Sequence, residues 1–406
     1  MDRRAFLKAG FATAASLTFG SSFWRALASG VFTVTDGPYG PLLEPDANGV
    51  RLPTGFTSRV VVRGAEAVEG TSYRWHWAAD GGATFATPDG GWIYVSNSEL
   101  DSGGGGAGAL RFAADASIVD AYPILTRTNR NCAGGATPWG TWLSCEERED
   151  GRVFECDPTG AKQPIVRPGL GTFEHEAAVV DEQGRVYLTE DHGEGRFYRF
   201  TPDIEVLLTT AMPFPSPLLS LGRLEVAKVD DPASVEAGGS SSVTWLEVPV
   251  PNPLVTSLGE HGTPTREQVP ESTAFKRGEG AWFDQGIAYF ATTTDYRIWA
   301  YDTVGGSISV LFDGIATPNS PLRKPDNITV ARSGDVLVCE DGDDMQICIL
   351  TPGREVAPLL QVVGAAHAGS EMTGVAFNPA GDRLYFSSQR GFGTGVTFEV
   401  TGPFRA

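Results

Sequence analysis

Residues 130–147 read RNCAGGATPWGTWLSCEE, and this stretch shows the unit from which the chain is built. It begins with a thiol, Cys132, among glycines, continues as a short apolar strand, and ends on two adjacent carboxylates, Glu146 and Glu147. A polar start, a strand, a turn, a second strand and a polar end recur in this order elsewhere. The predicted two-stranded units cover residues 83–99, 132–147, 176–191, 279–295, 327–341 and 373–389.

The spacing of these units predicts the fold. Corresponding residues of the second strands lie 48, 45, 102, 48 and 48 positions apart. A period of about 40–50 residues with several strands per unit is typical of β-propeller blades. We therefore expect an all-β protein, a six-bladed β-propeller with a central metal-binding channel, in which strands near 56–63 and 395–400 close the ring. The six corresponding residues are Tyr94, Trp142, Tyr187, Tyr289, Leu337 and Tyr385.

The first 28 residues have the pattern of a twin-arginine signal peptide. Arg3 and Arg4 precede a weakly apolar stretch, and Ala26-Leu27-Ala28 suits a cleavage site. The apolar stretch is too short, and too rich in Gly, Ser and Thr, to span a bilayer. We expect passage through the twin-arginine export machinery to the periplasm or beyond, with no stable membrane span. Residues 29–406 are then one domain, expected to be monomeric, with an insertion at about 202–272.

The net charge argues against one class of partner. The chain carries −19 at pH 7, and removal of residues 1–28 would bring this to −22 by deleting four bases and one acid. An acidic excess of this size argues against nucleic-acid binding. It can serve solubility alone, or it can reflect buried carboxylates that hard cations neutralise.

The five cysteines leave one thiol unpaired if the others form disulfides. Cys145 and Cys156 are symmetric about a predicted turn at 150–151, and Cys339 and Cys348 are symmetric about one at 343–344. Both pairs are plausible cross-strand disulfides, although such positions give imperfect geometry. Cys132 is then the odd thiol, and its place among glycines favours a metal ligand or a nucleophile.

Acids at the ends of the predicted units suggest a metal site. In an antiparallel hairpin the first strand starts where the second strand ends, so these residues should emerge on one rim. Unpaired, so many carboxylates would repel one another strongly, and bound cations are the ordinary remedy. Oxygen ligands favour Ca²⁺, whereas one thiolate adds a site better suited to iron or zinc. The expected rim residues are Asn97, Glu99, Cys132, Glu146, Glu176, Glu190, Asp191, Glu279, Asp295, Asp326, Asn327, Glu340, Asp341 and Glu371.

Arg277 lies two residues before Glu279 in a glycine-containing stretch. Its guanidinium could hold an anionic group bidentately, and an arginine beside several metal ions is the arrangement used for phosphoryl transfer. His175 could be a ligand or a core histidine, and the sequence does not decide between the two.

The chain resembles the PhoX family of twin-arginine-exported alkaline phosphatases in residues 131–147, 175–181 with 186–191, 277–282, 325–330 with 337–342, and 370–374. The resemblance implies a six-bladed propeller whose channel holds two Fe³⁺ and several Ca²⁺. It also implies that Cys132 is the iron-ligating thiolate, that Glu279 is a cluster carboxylate, and that Arg277 clamps phosphate, these three being the expected catalytic residues. The expected metal ligands are Cys132, Glu176, Glu279, Asp326, Glu340, Glu99, Asp191 and Glu371.

The leading hypothesis is a periplasmic, metal-dependent alkaline phosphatase that hydrolyses small phosphate monoesters. A calcium-dependent lactonase is the alternative enzyme, and a silent Cys132→Ala variant would favour it. A non-catalytic, metal-bound binding scaffold is the third reading, and it predicts that Arg277→Ala changes no turnover.

Overall fold

The computed structural model describes residues 31–203, 213–253, 262–342 and 344–405. These residues form an all-β, propeller-like arrangement with one five-residue helix, α1 (Pro232–Glu236), and short 3-10 turns at Pro168–Leu170, Pro217–Leu219, Thr265–Glu267, Ala365–His367 and Gly391–Gly393. The strands are β1 (Thr33–Val34), β2 (Val50–Arg51), β3 (Thr57–Arg63), β4 (Ala79–Ala86), β5 (Trp92–Ser98), β6 (Gly105–Phe112), β7 (Ile118–Thr128), β8 (Asn131–Ala136), β9 (Trp142–Glu146), β10 (Val153–Cys156), β11 (Ile165–Val166), β12 (His175–Val180), β13 (Val186–Glu190), β14 (Phe197–Pro202), β15 (Gly222–Val229), β16 (Ser240–Glu247), β17 (Gly278–Asp284), β18 (Ile287–Thr292), β19 (Arg297–Asp302), β20 (Ser307–Asp313), β21 (Pro325–Val330), β22 (Val336–Glu340), β23 (Gln346–Leu350), β24 (Glu355–Val362), β25 (Met372–Phe377), β26 (Arg383–Ser388) and β27 (Val396–Thr401).

The described strands form five sheets. Three are four-stranded, with the orders β4-β5-β6-β7, β11-β10-β9-β8 and β25-β26-β27-β3. A six-stranded sheet combines β21 to β24 with β1 and β2, and a nine-stranded sheet runs β12-β13-β14-β15-β16-β20-β19-β18-β17. The predicted all-β, propeller-like arrangement is thus confirmed, but the strands do not form six separate sheets. The physical reason is that β16, from the predicted insertion, pairs with β20 and joins two sets of strands through Ser240 opposite Ser309.

The first strands of the six hairpins contact one another in a closed cycle, β4 to β8, β12, β17, β21, β25 and back to β4. Small residues allow this close approach. A Cβ added at Gly135 would lie 1.8 Å from the Ala178 carbonyl oxygen, and one at Gly374 would lie 2.6 Å from the Asp80 carbonyl oxygen. We call β4, β8, β12, β17, β21 and β25 the inner strands.

The second strands carry the apolar core between neighbouring sheets. All six aromatic or aliphatic residues that defined the predicted period lie on β5, β9, β13, β18, β22 and β26, and all are buried. Tyr94 of the first hairpin stacks on Tyr385 of the last, with ring centroids 5.0 Å apart. Phe197 and Phe290 stack at 4.2 Å between two other sets of strands. Burial of these large rings is the main force that holds the sheets against one another.

The first and last parts of the chain share a sheet. β3 pairs antiparallel with β27, with Val62 opposite Thr397, and this is the closure predicted for the early and C-terminal strands. The Arg59 guanidinium donates to Glu399 on β27 at 2.9 Å. The outer edge of β27 is therefore covered by an early segment of the chain.

All five cysteines are free thiols, so the predicted disulfides are absent. Cys145 lies opposite Val153, and Cys156 lies opposite Trp142. The partner of Cys145 thus lies three residues before Cys156, the partner that the predicted turn implied. Because side chains alternate between the two faces of a strand, this odd-numbered shift places the two thiols on opposite faces. A shift of one residue likewise separates Cys339, which lies opposite Ile347, from Cys348.

Two predicted segments fall wholly or partly outside the described residues. The predicted signal peptide at 1–28 lies there entirely, and so do residues 204–212 and 254–261 of the predicted insertion. The described part of the insertion supplies β15, α1 and β16. Among the described residues no helix is both long and apolar enough to cross a bilayer.

Candidate metal centre

One backbone hydrogen bond recurs in all six hairpins and fixes the geometry of the site. The residue just after each second strand donates its N–H, at 2.8–3.1 Å, to the carbonyl oxygen of the residue that immediately precedes the inner strand. We name the donors trail residues and the acceptors shoulder residues, and the residue two positions after each shoulder is a lead residue. The trail residues are Glu99, Glu147, Asp191, Thr293, Asp341 and Gln389; the shoulder residues are Ala78, Arg130, Glu174, Arg277, Lys324 and Glu371; the lead residues are Asp80, Cys132, Glu176, Glu279, Asp326 and Thr373.

A β-bulge follows the start of every inner strand. The pairing register shifts between Ala79 and Gly82 in the first hairpin and between Asn131 and Gly134 in the second, and the third, fourth and fifth hairpins shift at the same place. In the sixth hairpin the shift lies one residue later, between Thr373 and Ala376. A bulge bends the strand and redirects one side chain. In the first five hairpins the bulge begins at the lead residue, and these five lead residues carry a carboxylate or a thiol.

Among the residues that the structure describes, three groups of side chains bring their ligand atoms within 4.8 Å of one another. The first group is Cys132, Glu147 and Glu176, and the second is Glu176, Glu279 and Asp326, so that Glu176 belongs to both. The third group is Asp80, Glu99 and Glu371. Each group combines residues of neighbouring hairpins, and the third one joins the first hairpin to the last.

Burial and mutual repulsion disfavour the charged forms of these acids. Burial raises the pKa of Glu176 well above its usual value, and the charges of Glu279 and Asp326 raise it further. Burial raises the pKa of Glu147 to about 8 although Arg130 opposes the shift. Burial, together with Asp341 and Glu99, raises the pKa of Glu371 to about 7. The negative charge of these clustered carboxylates is disfavoured without a counter-charge. Such a cluster is suited to binding cations, which would stabilise the charged forms.

The other lead residues show the same effect. Burial raises the pKa of Asp80, Glu279 and Asp326 well above the usual range, with neighbouring carboxylates adding to it. Cys132 Sγ lies 3.3 Å from Glu176 Oε1, and burial followed by the charge of Asp80 raises the pKa of this thiol. A cation bound between these groups would favour the thiolate and the carboxylates together.

Two arginines at shoulder positions hold the acids at the rim. Arg277 donates from Nε and Nη2 to the two oxygens of Asp191, at 2.8 and 2.9 Å, and Nη2 lies 3.1 Å from Glu279. Arg130 donates from Nη2 to both oxygens of Glu147, at 2.9 and 3.0 Å, and from Nε to Glu99 at 3.3 Å.

The structure places most of the predicted site residues at this rim. Cys132, Glu176, Glu279 and Asp326 are lead residues, Glu99 is a trail residue, and Glu371 is a shoulder residue that meets Asp80 and Glu99. Asp191 is a trail residue whose carboxylate is bound by Arg277, and it is not a member of the three groups among the described residues. Their roles as ligands stay predictions.

Glu340 is not a member of the three groups among the described residues, and its role as a ligand stays a prediction. Glu340 Oε1 accepts the Arg323 backbone N–H at 2.8 Å, and burial raises the pKa of Glu340 to about 8. Glu146 accepts from the Asn129 backbone N–H at the corresponding place, at 3.0 Å. The last residue of such a second strand faces the loops of its own sheet, and the trail residue that follows it, here Asp341, faces the rim.

Three other candidate residues, two of them from the predicted rim, have structural partners. His175 stacks on Phe173 with ring centroids 3.6 Å apart, and burial lowers the pKa of His175 to about 3, so it is a core histidine. Asn97 is buried and donates to the Ala133 carbonyl oxygen at 2.7 Å. Asp295 accepts from the Thr292 hydroxyl and lies away from the three groups.

Sequence reasoning missed Asp80 and assigned Glu146, rather than the adjacent Glu147, to the rim. The predicted first unit began at residue 83, three residues too late to include Asp80. A usable signal was present, because a chemically active residue followed by small residues recurs at the lead positions. It reads Asp80-Gly81, Cys132-Ala133, Glu176-Ala177, Glu279-Gly280, Asp326-Asn327 and Thr373-Gly374.

A cavity of about 230 Å³ lies further along the inner strands, on the side of the hairpin turns. Residues of all six inner strands line it, and its walls are mostly glycine, alanine and apolar side chains. The acids are therefore concentrated at one end of the ring of inner strands, where the strands begin.

A family model described as alkaline phosphatase PhoX matches residues 71–310 and 310–391, which include every lead, trail and shoulder residue of the six hairpins. The chain belongs to the PhoX alkaline phosphatase family. Membership implies a phosphatase, and hence a hydrolase, of a metal-dependent family. The groups of acids described above are the residues of this PhoX family member that could bind metal ions.

A solved structure from the PhoX family agrees with this fold. The chain is similar to Pseudomonas fluorescens PhoX in complex with vanadate, a transition-state analogue, with a TM-score of 0.70 and 16% identity over 92% of this chain and 98% of that one. A gluconolactonase from Xanthomonas campestris gives a TM-score of 0.47 at 14% identity, covering 90% and 98% of the two chains. Comparison with curated protein sequences gives no match.

Proposed function

We propose that this PhoX family member is a periplasmic phosphatase that hydrolyses phosphate monoesters at an iron and calcium cluster. The observation that carries the proposal is the pair of three-residue groups that share Glu176, one of which contains the Cys132 thiol, next to Arg277. The shared carboxylate would place two cations side by side, and adjacent cations with an arginine are suited to phosphoryl transfer.

The residues present fit the metals that the family implies. Cys132, Glu147 and Glu176 combine one thiolate with two carboxylates, and this donor set suits iron better than calcium. Glu176, Glu279 and Asp326 would hold the second iron, whereas Asp80, Glu99 and Glu371 offer only oxygen and suit Ca²⁺. Bound cations would supply positive charge that neutralises the phosphoryl oxygens and activates a nucleophile.

Arg277 would hold the phosphate. Its Nε and Nη2 are fixed on Asp191 and Glu279, which sets the plane of the guanidinium. Within the described part of the chain no hydrogen bond is recorded for its Nη1, and the side chain is 41% exposed. Two N–H groups therefore remain for an anion, and a guanidinium that is already anchored loses little freedom when it binds one.

The fold and the location complete the proposal. We count the nine-stranded sheet as two blades joined through β16 and β20, which gives six blades with one inner strand each around a central channel. Residues 1–28 would direct the chain through the twin-arginine route, consistent with a family that is generally exported. This route carries folded proteins, so that the metals could be loaded before export.

The test is hydrolysis of p-nitrophenyl phosphate at alkaline pH by protein purified after export. We expect turnover with calcium present, loss of turnover in chelator, and competitive inhibition by vanadate. Cys132→Ala should lower kcat/KM by at least about 100-fold and remove iron, because the thiolate is a ligand. Cys156→Ala is the matched control, since Cys156 is buried in an apolar cluster away from the rim.

The possible results separate the three readings. Full activity of Cys132→Ala with unchanged iron content would contradict the thiolate role. Protein that contains its metals and cleaves neither monoesters nor diesters would rule out the phosphatase, and turnover of a lactone by that protein would favour the lactonase instead. Calcium binding without turnover of any of these substrates would favour the scaffold.

A further inference from the structure

We propose that Arg130 is a second phosphate-binding residue, which holds the phosphoryl group from the side opposite to Arg277. The inference rests on the proposed function and assigns a substrate contact to a residue that the sequence patterns did not single out. Four observations carry it: the backbone position, the bonding of the guanidinium, the exposure of the side chain, and the place of Glu176 between the two arginines.

Arg130 and Arg277 occupy the same place in two repeats of the structure. Both are shoulder residues, since the Arg130 carbonyl oxygen accepts from Glu147 N at 2.8 Å and the Arg277 carbonyl oxygen accepts from Thr293 N at 3.0 Å. Both are left-handed, with φ of +47° and +57°, as are the shoulder residues Ala78 and Lys324 with φ of +48° and +41°. The shared conformation shows that the two arginines start from equivalent backbone positions.

The two guanidinium groups are bonded in the same way. Each uses Nε and Nη2 to bind acids of the rim, and each bridges two acids: Arg130 binds Glu99 and Glu147, and Arg277 binds Asp191 and Glu279. Nη1 of each arginine donates no hydrogen bond to any residue in the described part of the chain. Both therefore keep two N–H donors for a ligand on a guanidinium whose orientation is already fixed.

The exposure of Arg130 leaves its guanidinium accessible to a ligand. Its side chain is 37% exposed, close to the 41% of Arg277. Arg167, by contrast, is enclosed. It is 5% exposed, binds the buried Glu155 through Nε and Nη2, and places Nη1 3.5 Å from the Ser220 hydroxyl.

The two arginines stand on either side of the hairpin that supplies Glu176. Arg130 precedes Cys132 by two residues, Arg277 precedes Glu279 by two, and the hairpin between them carries Glu176, which belongs to both of the neighbouring groups. A phosphoryl group bound over those two groups would lie between the guanidiniums. Its three non-bridging oxygens can accept from two arginine forks at once.

The experiment measures binding of inorganic phosphate to the metal-loaded protein by calorimetry, beside metal content and steady-state kinetics. Charge-assisted hydrogen bonds lead us to expect that Arg130→Gln weakens phosphate binding by about 10- to 100-fold with unchanged metal content. Arg130→Lys should recover part of the loss, because it restores the charge without the fork. Arg152→Gln, which removes an exposed arginine of the same hairpin outside the rim, should bind phosphate as wild type does.

Phosphate affinity within about twofold of wild type in Arg130→Gln would overturn the inference. Loss of metal from that variant would also overturn it, since Arg130 would then act by holding Glu99 and Glu147. A failure of the proposed function is distinguishable, because wild-type protein would itself neither bind phosphate nor cleave esters.

Discussion

At the scale of single residues, we expect the buried carboxylate of Asp80 to lower the stability of the metal-free protein. Asp80 is buried and accepts from Gln389 Nε2, while Gln389 Oε1 has no partner among the described residues. Asp80→Asn would remove one of the repelling charges, and a rotated Gln389 amide could accept from the new Asn. We expect the variant to be more stable than wild type in chelator, by on the order of 1–3 kcal/mol, and to gain less stability from calcium.

Thermal unfolding in chelator and in calcium measures both effects. Asp115→Asn, in an exposed turn, is the control, and it should respond to calcium as wild type does. An Asp80→Asn protein that gains as much from calcium as wild type would show that the group with Glu99 and Glu371 binds no calcium.

Glu146 and Glu147 are neighbours with different expected roles. Glu146 accepts backbone N–H groups of Asn129 and Arg152, at 3.0 and 3.2 Å, whereas Glu147 meets Cys132 and Glu176. Glu146→Ala should lower the free energy of unfolding by about 1–3 kcal/mol, since it leaves buried donors unpaired, and it should keep its metals. Glu147→Ala should instead lower metal affinity by at least about tenfold.

Chemical denaturation and metal analysis of the two purified variants check this pair. The assignment fails if Glu146→Ala loses metal while Glu147→Ala keeps it, because the rim-facing residue would then be the other one.

At the scale of elements, the inner strands depend on glycine for their packing. A Cβ at Gly135 would lie 1.8 Å from the Ala178 carbonyl oxygen on the neighbouring inner strand. Gly135→Ala should therefore destabilise the protein by roughly 1–3 kcal/mol or more, the usual cost of overpacking. Gly193→Ala is the matched control, because its Cβ would meet nothing within 4 Å. Equal melting temperatures of the two variants would contradict the close contact.

The cysteines give a second prediction at this scale. Cys145 and Cys156 lie on opposite faces of their sheet, and so do Cys339 and Cys348. We therefore expect all five thiols to react with a thiol reagent when the protein is denatured without reductant. Reductant should leave the melting temperature unchanged. If only three thiols or one thiol per chain reacted, one or two disulfides would have formed in spite of this register.

The sequence predicted hairpins well and their registers less well. Apolar runs between turns predict the buried second strands, and residues such as Tyr187 and Tyr385 lie where these runs predicted them. No apolar pattern marks the bulges at the lead residues or the centres of the loops. A register shift of three residues separates Cys145 from Cys156, and the trail residue of the fifth hairpin is Asp341, one residue after Glu340. Which strands of different sheets pair, as β16 does with β20, depends on contacts distant in sequence.

At the scale of the whole molecule, the rim makes the metal-free protein sensitive to pH. The pKa of Glu371 is about 7 and that of Glu147 about 8 in the folded state, against an ordinary value of 4.5. The folded protein thus keeps protons that the unfolded chain releases. The contribution of these two protonated carboxyl groups to the free energy of unfolding is fully present below pH 4.5. It is lost as the pH rises through 7 and 8, where the folded protein also releases these protons.

Melting temperatures in chelator should therefore fall between about pH 5 and pH 8, with each group contributing up to about 1.4 kcal/mol per pH unit. Calcium and iron should flatten this dependence, because they take the place of the protons. Chelated protein that becomes more stable over the same range would show that the rim acids are ionised without metal.

The group of Asp80, Glu99 and Glu371 joins hairpins that are almost 300 residues apart in sequence. A nascent chain on the ribosome carries the first two acids long before the third has been synthesised. This group can assemble only after the last hairpin has emerged and docked beside the first, when β27 also meets β3. A cation held there would thus act as a latch between the earliest and the latest hairpins of the propeller, and its capture would mark the moment at which the newly made chain has closed on itself.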